Sequence, residues 1–166
     1  KLTRMKELIG EALKEKPESK IIVFSHYREN IKQIMKILEG VEGCRPAVLI
    51  GQAQGLSQSE QISIIRDYED DFYNCLITTS IGEEGLHLAS ADMAIFYEPV
   101  ASEIRTIQRR GRVGRTKIGK AVFLVAKDTR DETNYWVEKH KEKKMREILE
   151  GMKEELKREK SLKDFV

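Results

Sequence analysis

Cysteine is scarce in this 166-residue chain: Cys44 and Cys75 stand thirty-one positions apart, with no CxxC and no Cys/His cluster. That argues against a disulfide framework or a zinc site and suits a reducing, intracellular compartment. Cys75, inside "NCLITT", reads as a small buried residue. Long apolar runs are missing as well. No stretch approaches the roughly 20 residues a membrane span needs, and the opening "KLTRMKELIGEALKE" patterns as an amphipathic helix, not a signal peptide. His26, His87 and His140 lack metal-ligand spacing, and none pairs with an obvious Ser or Cys nucleophile, so zinc chemistry and hydrolytic triads are set aside. Internal repeats and low-complexity tracts are absent. Net charge is only +2, so no global field points to a polyanionic partner and any basic signal has to be local. An initiator Met is also missing at Lys1, from which we expect a fragment of a longer chain.

What is present describes one globular domain with a densely charged surface, 40% hydrophobic and 35% charged. Leu2, Met5, Leu8, Ile9, Ala12 and Leu13 form an apolar stripe at helical spacing, broken at Pro17. "KIIVFS" (20–25) is a short apolar run consistent with a strand buried on both faces. A helix bearing Ile31, Ile34, Met35 and Leu38 follows, ended by Gly40, and "PAVLIG" (46–51) is a second strand. Ser57 and Glu60 form a capping box that opens a helix with Ile62, Ile65 and Tyr68. "YNCLITTS" (73–80) and "DMAIFYEP" (92–99) are the third and fourth strands, the latter stopping at Pro99. A short helix, "SEIRTIQ", precedes a fifth strand, "KAVFLVA" (120–126). A second capping box, Thr129 with Glu132, begins a long charged helix carrying Met145, Ile148, Leu149, Met152 and Leu156. Apolar strands separated by helices predict an α/β fold with a parallel sheet of about five to six strands and helices on both faces. Residues 1–145 make the domain and 146–166 its helical extension.

In such a fold, ligands bind along the edge where the strands end. "SHYR", Ser25 to Arg28, follows the first strand at a helix start, where free N–H groups, a hydroxyl and an arginine suit a phosphate. An N-cap with a solvated arginine explains the same residues. After the second strand, Gly51 and Gly55 give a flexible approach and Gln52 can reach a backbone or a base, although an ordinary loop looks alike. Thr78, Thr79 and Ser80 end the third strand, with Gly82 and Gly85 allowing close backbone approach. That pattern suits phosphate oxygens without base readout, and it also suits strand-forming threonines beside a turn. "QRRGRVGR" (108–115) is harder to explain as plain surface. From Arg105 to Lys120 there are seven Lys or Arg and no acid, while Asp67 to Asp71 is acidic without a base. Glycines 111 and 114 bend the backbone, and Arg112 and Arg115 are placed for a planar, bidentate grip on phosphate. A general basic patch remains the alternative.

Taken in order, "IIVFSHYR", "LITTSIGEEGL" and "QRRGRVGR" resemble motifs IV, V and VI of superfamily 2 helicases. "GLSQSEQ", "FYEPVASEIRTIQRRGR" and "AKDTRDETNYW" further resemble the archaeal Hef and Fanconi-anaemia M group of DNA helicases, with Dicer and the RIG-I-like RNA helicases as neighbouring relatives. The resemblance covers about residues 1 to 145. It implies a RecA-like second motor domain, with ATP in a cleft shared with a preceding P-loop domain that also holds Mg2+. Arg112 and Arg115 then correspond to arginine fingers and Gln108 to a residue positioning the γ-phosphate. Such fingers contribute on the order of 10³–10⁵ in rate in other NTPases. Glu84, Gly85 and His87 fall toward the nucleotide. Ser25, His26, Tyr27, Arg28, Gly51, Gln52, Thr79 and Ser80 fall toward a nucleic-acid backbone, held by its phosphates as a translocating motor requires.

Two departures accompany the resemblance. His87 stands where motif V commonly has an aspartate assigned to the ribose, which puts that contact in doubt. No GxxxxGK[ST] occurs and no DExx box closes a strand, so this chain cannot bind and hydrolyse ATP alone in the usual way. The expectation is half of an ATP-dependent DNA helicase, cytoplasmic or nucleoid-associated, joined to its N-terminal RecA-like domain and not to a membrane. Two other classes stay open: an RNA helicase domain, and a stand-alone nucleic-acid-binding module. The latter would bind tightly with steep salt dependence, which near-neutral net charge disfavours. A regulatory domain on the same fold would leave the arginines unexplained.

Overall fold

The structure, a computed structural model, describes residues 1–51, 55–79, 90–98, 118–133, 135–137 and 140. Its elements are α1 (Leu2–Glu15), β1 (Ile21–Phe24), α2 (Arg28–Leu38), β2 (Pro46–Leu49), α3 (Gln58–Glu69), β3 (Cys75–Thr78), β4 (Ala91–Phe96) and β5 (Ile118–Phe123). The backbone is helical again at 130–133 and 135–137. The expected short helix at 102–107 and the long C-terminal helix with its extension 146–166 lie outside the described residues. No described helix is long and apolar enough to cross a membrane.

All four strand pairings are parallel, in the order β2-β3-β1-β4-β5. The doubly apolar sequences of β1 and β3 sit at the centre, every residue buried, as a parallel sheet covered on both faces requires. α1 and α2 cover one face. Met5, Ile9 and Leu13 from α1 and Ile31, Ile34 and Leu38 from α2 pack on Ile21, Val23, Cys75, Ile77, Met93 and Ile95. α3 covers the other, where Tyr68 meets Ile22, Phe24, Leu76 and Phe96. Cys75 is fully buried and Cys44 lies partly buried against the same core, both as free thiols. Burying these side chains, at about 25 cal/mol per Å² of apolar surface, is what holds the layers together.

The Ser57–Glu60 capping box is fully formed: the Ser57 hydroxyl accepts from the Glu60 N–H, and the Glu60 carboxylate accepts from the Ser57 N–H at 2.8 Å. Beyond it, the inward stripe of α3 is Gln61, Ile64, Ile65 and Tyr68, while Ile62 is 45% exposed. Ile65 and Tyr68 of the expected stripe face the sheet, and Ile62 does not. Gln61 can be buried because its amide donates to the Leu56 carbonyl at 3.2 Å, which removes the penalty of an unpaired polar group. β3 starts at Cys75 and not at Tyr73, and the Asn74 side chain just ahead of it ties down the turn that leads into β2. It accepts from the Arg45 N–H and donates to the Gly43 carbonyl, both at 2.8 Å. β5 starts two residues ahead of the apolar run, at Ile118.

At the second expected cap, the Thr129 hydroxyl accepts from Asp131 N–H at 3.3 Å and donates to the Ala126 carbonyl. Glu132 reaches one residue further back than in a capping box, to the N–H of Asp128 at 2.9 Å. Asp128 carries the positive φ of 58° that lets the chain turn there.

Candidate nucleic-acid interface

Register brings the ends of β1, β3 and β4 flush. Phe24 pairs with Thr78 on one side and with Phe96 on the other, so the residues that follow each strand emerge along one edge. The β1 exit is held to β3 by a bond from the Ser25 N–H to the Thr78 carbonyl at 2.9 Å. On the other side, the Tyr97 N–H donates to the Phe24 carbonyl at 2.8 Å. Three aromatic rings lie in a row beneath this edge: Phe24 on Phe96 at 4.8 Å and Phe96 on Phe123 at 4.7 Å between centroids.

Ser25 is only 2% exposed. Its hydroxyl turns inward and donates to Glu98 Oε1 at 3.2 Å, and the His26 N–H donates to Glu98 Oε2 at 2.9 Å. The Asn30 amide donates to Glu98 Oε1 as well. Glu98 itself is 9% exposed. The free N–H and hydroxyl expected at this helix start are therefore met by a carboxylate of the same chain. α2 has no side-chain cap of its own, since its N-cap is Tyr27. Glu98, just past the neighbouring strand β4, instead holds the turn ahead of the helix through His26 and the Asn30 side chain, with the sign that the positive end of a helix dipole favours.

The outward parts of the turn are the His26 ring, in edge contact with Tyr27 at 5.2 Å, and Tyr27 itself, 58% exposed. Arg28 opens α2 on the exposed side. Thr79 lies just past β3 and is 9% exposed, beside the buried Thr78. Gly51 follows β2, partly buried, where the chain leaves the sheet. Beside the edge, Lys1 Nζ donates to the Tyr97 carbonyl at 2.8 Å and pairs with Asp131. Burial, and then the charges of Glu98 and Asp131, hold the Tyr97 phenol above its usual range.

The structure thus brings Ser25, His26, Tyr27, Arg28, Gly51 and Thr79 to the ends of their strands. Gln52, Ser80, Glu84, Gly85, His87, Gln108, Arg112 and Arg115 lie outside the described residues. Among the described residues, no group of three or more His, Cys, Asp or Glu could hold a metal ion. Glu98 is the residue that the sequence does not announce. In "FYEPVA" it looks like the tail of a strand before proline, and its partners lie 68 to 73 positions earlier. An acid ending an otherwise apolar strand was the available signal.

Known proteins are similar to this chain in sequence and fold. Residues 1–117 match the family described as Helicase conserved C-terminal domain. Over 158 residues, 92% of this chain, the sequence is 39% identical to the protein named "Putative ATP-dependent RNA helicase MJ1505" of Methanocaldococcus jannaschii. It is 32% identical over 142 residues, 82% of this chain, to the ATP-dependent DNA helicase mph1 of Aspergillus niger. Among solved structures, the Pyrococcus furiosus Hef helicase domain superposes with a TM-score of 0.72 over 83% of this chain, at 43% identity. The chain spans 20% and 12% of the length of the two curated relatives, and 28% of the Hef chain. With the motifs in order along the sequence, a parallel sheet, and a family match over most of its length, the chain belongs to the helicase conserved C-terminal domain family.

Proposed function

We propose that this chain is the second RecA-like motor domain of an ATP-dependent DNA helicase or translocase. In this reading Arg112 and Arg115 reach ATP bound by a preceding domain, and Gln108 helps position its γ-phosphate. Glu84, Gly85 and His87 border the nucleotide. Two guanidinium groups stabilise the charge that develops on the transferred phosphoryl group, in a place where water is excluded. Mg2+ belongs with the P-loop domain.

The other ligand of this edge is a nucleic-acid strand. Thr79 and Ser80 offer hydroxyls to backbone phosphates, and His26, Tyr27 and Arg28 present the outer side of the β1–α2 turn, with Gly51 and Gln52 further along. Ser25 acts from behind, by fixing the turn on Glu98. Such contacts hold phosphate and sugar and do not read bases, as a motor that moves along any sequence requires. The observation that carries the reading is the common register of β1, β3 and β4, which sets the motif IV turn and the motif V threonines side by side at one sheet edge.

The proposal of DNA is supported by the Hef-like stretches of the sequence and by the likeness to the DNA helicase mph1, and an RNA helicase remains the alternative, since the Methanocaldococcus protein carries that name. The test is ATP hydrolysis by the full-length protein with duplex DNA, forked DNA or RNA. DNA is expected to stimulate hydrolysis at least several-fold more than RNA, and equal or greater stimulation by RNA would overturn the DNA assignment. The binding-module reading has its own signature. Residues 1–166 alone would then bind polynucleotide tightly, with an affinity falling steeply as salt rises.

A further inference from the structure

Glu98 is a buried carboxylate that none of the helicase motifs names, and it accepts hydrogen bonds from the Ser25 hydroxyl, the His26 N–H and the Asn30 amide. All three donors belong to the β1–α2 turn and the first turn of α2. They converge on one group because β1 and β4 are adjacent and end in register, Phe24 opposite Phe96. The N–H groups of Asn30 and Ile31 bond to the Tyr27 carbonyl, so the carboxylate fixes the turn ahead of the helix and the Asn30 side chain, not the helix N–H groups themselves. Glu98 is also the residue that leads into positions 99–117, which hold the arginine-rich motif.

We propose that Glu98 is a positioning residue for nucleic-acid engagement. Its carboxylate holds the 25–28 turn in the shape that meets the strand, and joins that turn to the stretch of chain bearing Arg112 and Arg115. The inference rests on the motor-domain reading above and adds to it a residue with a stated role. The chemistry requires an acceptor at both oxygens. A glutamine keeps the size but removes the charge and turns one acceptor into a donor, which Asn30 meets only by turning its amide oxygen inward and giving up the bond it makes here. An acid at position 30 restores the charge and gives that donor an acceptor. In the paired variant, the oxygen of the introduced amide accepts from the His26 N–H, while its nitrogen donates to the new carboxylate and to the Ser25 oxygen. The net charge of the pair is unchanged.

The experiment uses the full-length protein, with forked duplex DNA as the probe, and follows both the maximal ATPase rate and the DNA concentration giving half of it. Glu98→Gln is expected to raise that concentration about tenfold, the equivalent of one lost charge-assisted hydrogen bond, and by more than it lowers the maximal rate. Adding Asn30→Asp is expected to bring it back to within about threefold of wild type. Should Glu98→Gln fail to fold, Asn30→Ala, which removes a single donor, carries the test with a smaller rise. A merely structural role would lower the melting temperature and the active fraction while leaving the half-saturating DNA concentration in place; that result, or the absence of rescue by Asn30→Asp, overturns the proposal. Arg112→Lys measured alongside separates the two readings. If it abolishes stimulation while the Glu98→Gln protein behaves as wild type, only the role of Glu98 falls; if Arg112→Lys is itself without effect, the motor reading falls.

Discussion

Phe24 and Phe96 lie ring over ring, 4.8 Å between centroids and 8° from parallel, on the α3 side of the sheet. The next residue after Phe24 is Ser25, and two residues after Phe96 comes Glu98, so the stack sits directly beneath the bonds that shape the β1–α2 turn. Phe96 is fully buried and also stacks on Phe123. Offset aromatic pairs add about 0.5–1.5 kcal/mol beyond the area they bury. Phe96→Ala is expected to cost about 3–5 kcal/mol of unfolding free energy, and Phe96→Leu markedly less. Denaturant unfolding of both variants checks this: no loss in Phe96→Leu would mean that the stack contributes nothing beyond bulk, and a loss equal to that of Phe96→Ala would contradict the expected order.

Gly119 makes a separate claim about the β4–β5 edge. A Cβ built there would stand 2.7 Å from the Asp92 carbonyl oxygen, and backbone cannot swing aside as a side chain can. Gly119→Ala is expected to destabilise the fold by about 1–3 kcal/mol through overpacking. A melting temperature at or above that of the parent would show that β5 shifts freely against β4.

Asp92 supplies the clearest pH dependence. Its carboxylate accepts from the Lys20 N–H and from Lys16 Nζ, and these two bonds hold it below the ordinary aspartate range. A depressed folded value means that the stabilisation is fully present above the unfolded value of about 3.9 and is lost as pH falls through the lower folded value. Both side chains of the Lys16–Asp92 pair are over 40% exposed, which limits the effect at neutral pH to about 1 kcal/mol or less. Asp92→Asn is expected to lose that amount at pH 7 and to approach wild type as pH falls below the unfolded aspartate value of about 3.9 and through the lower folded one. A gap of constant size across that range would contradict it.

Much of this architecture is legible before any coordinates. Apolar runs of strand length identify β1 to β4 because a parallel sheet sheltered on both faces needs no polar alternation. Ser57 and Glu60 mark a helix start because their two bonds close within four residues. Local signals carry that far. They fail where partners are distant in sequence. Ile62 reads as core by spacing alongside Ile65 and Tyr68, yet it is left exposed while Gln61 turns inward, a choice that only tertiary packing makes. Asn74 reads as strand, yet its side chain finishes the turn at Gly43 and Arg45. Ser25 reads as a hydroxyl awaiting an anion; the anion is Glu98, seventy-three positions on.

The proposal that this chain is the catalytic partner of a separate ATP-binding domain is tested most directly at Arg112 and Arg115. The measurement is DNA-stimulated ATP hydrolysis by the full-length protein carrying Arg112→Lys or Arg115→Lys, with DNA affinity followed in parallel. We expect hydrolysis to fall by about 10³-fold or more while affinity stays near that of the parent. Hydrolysis at the wild-type rate by both variants would contradict the assignment.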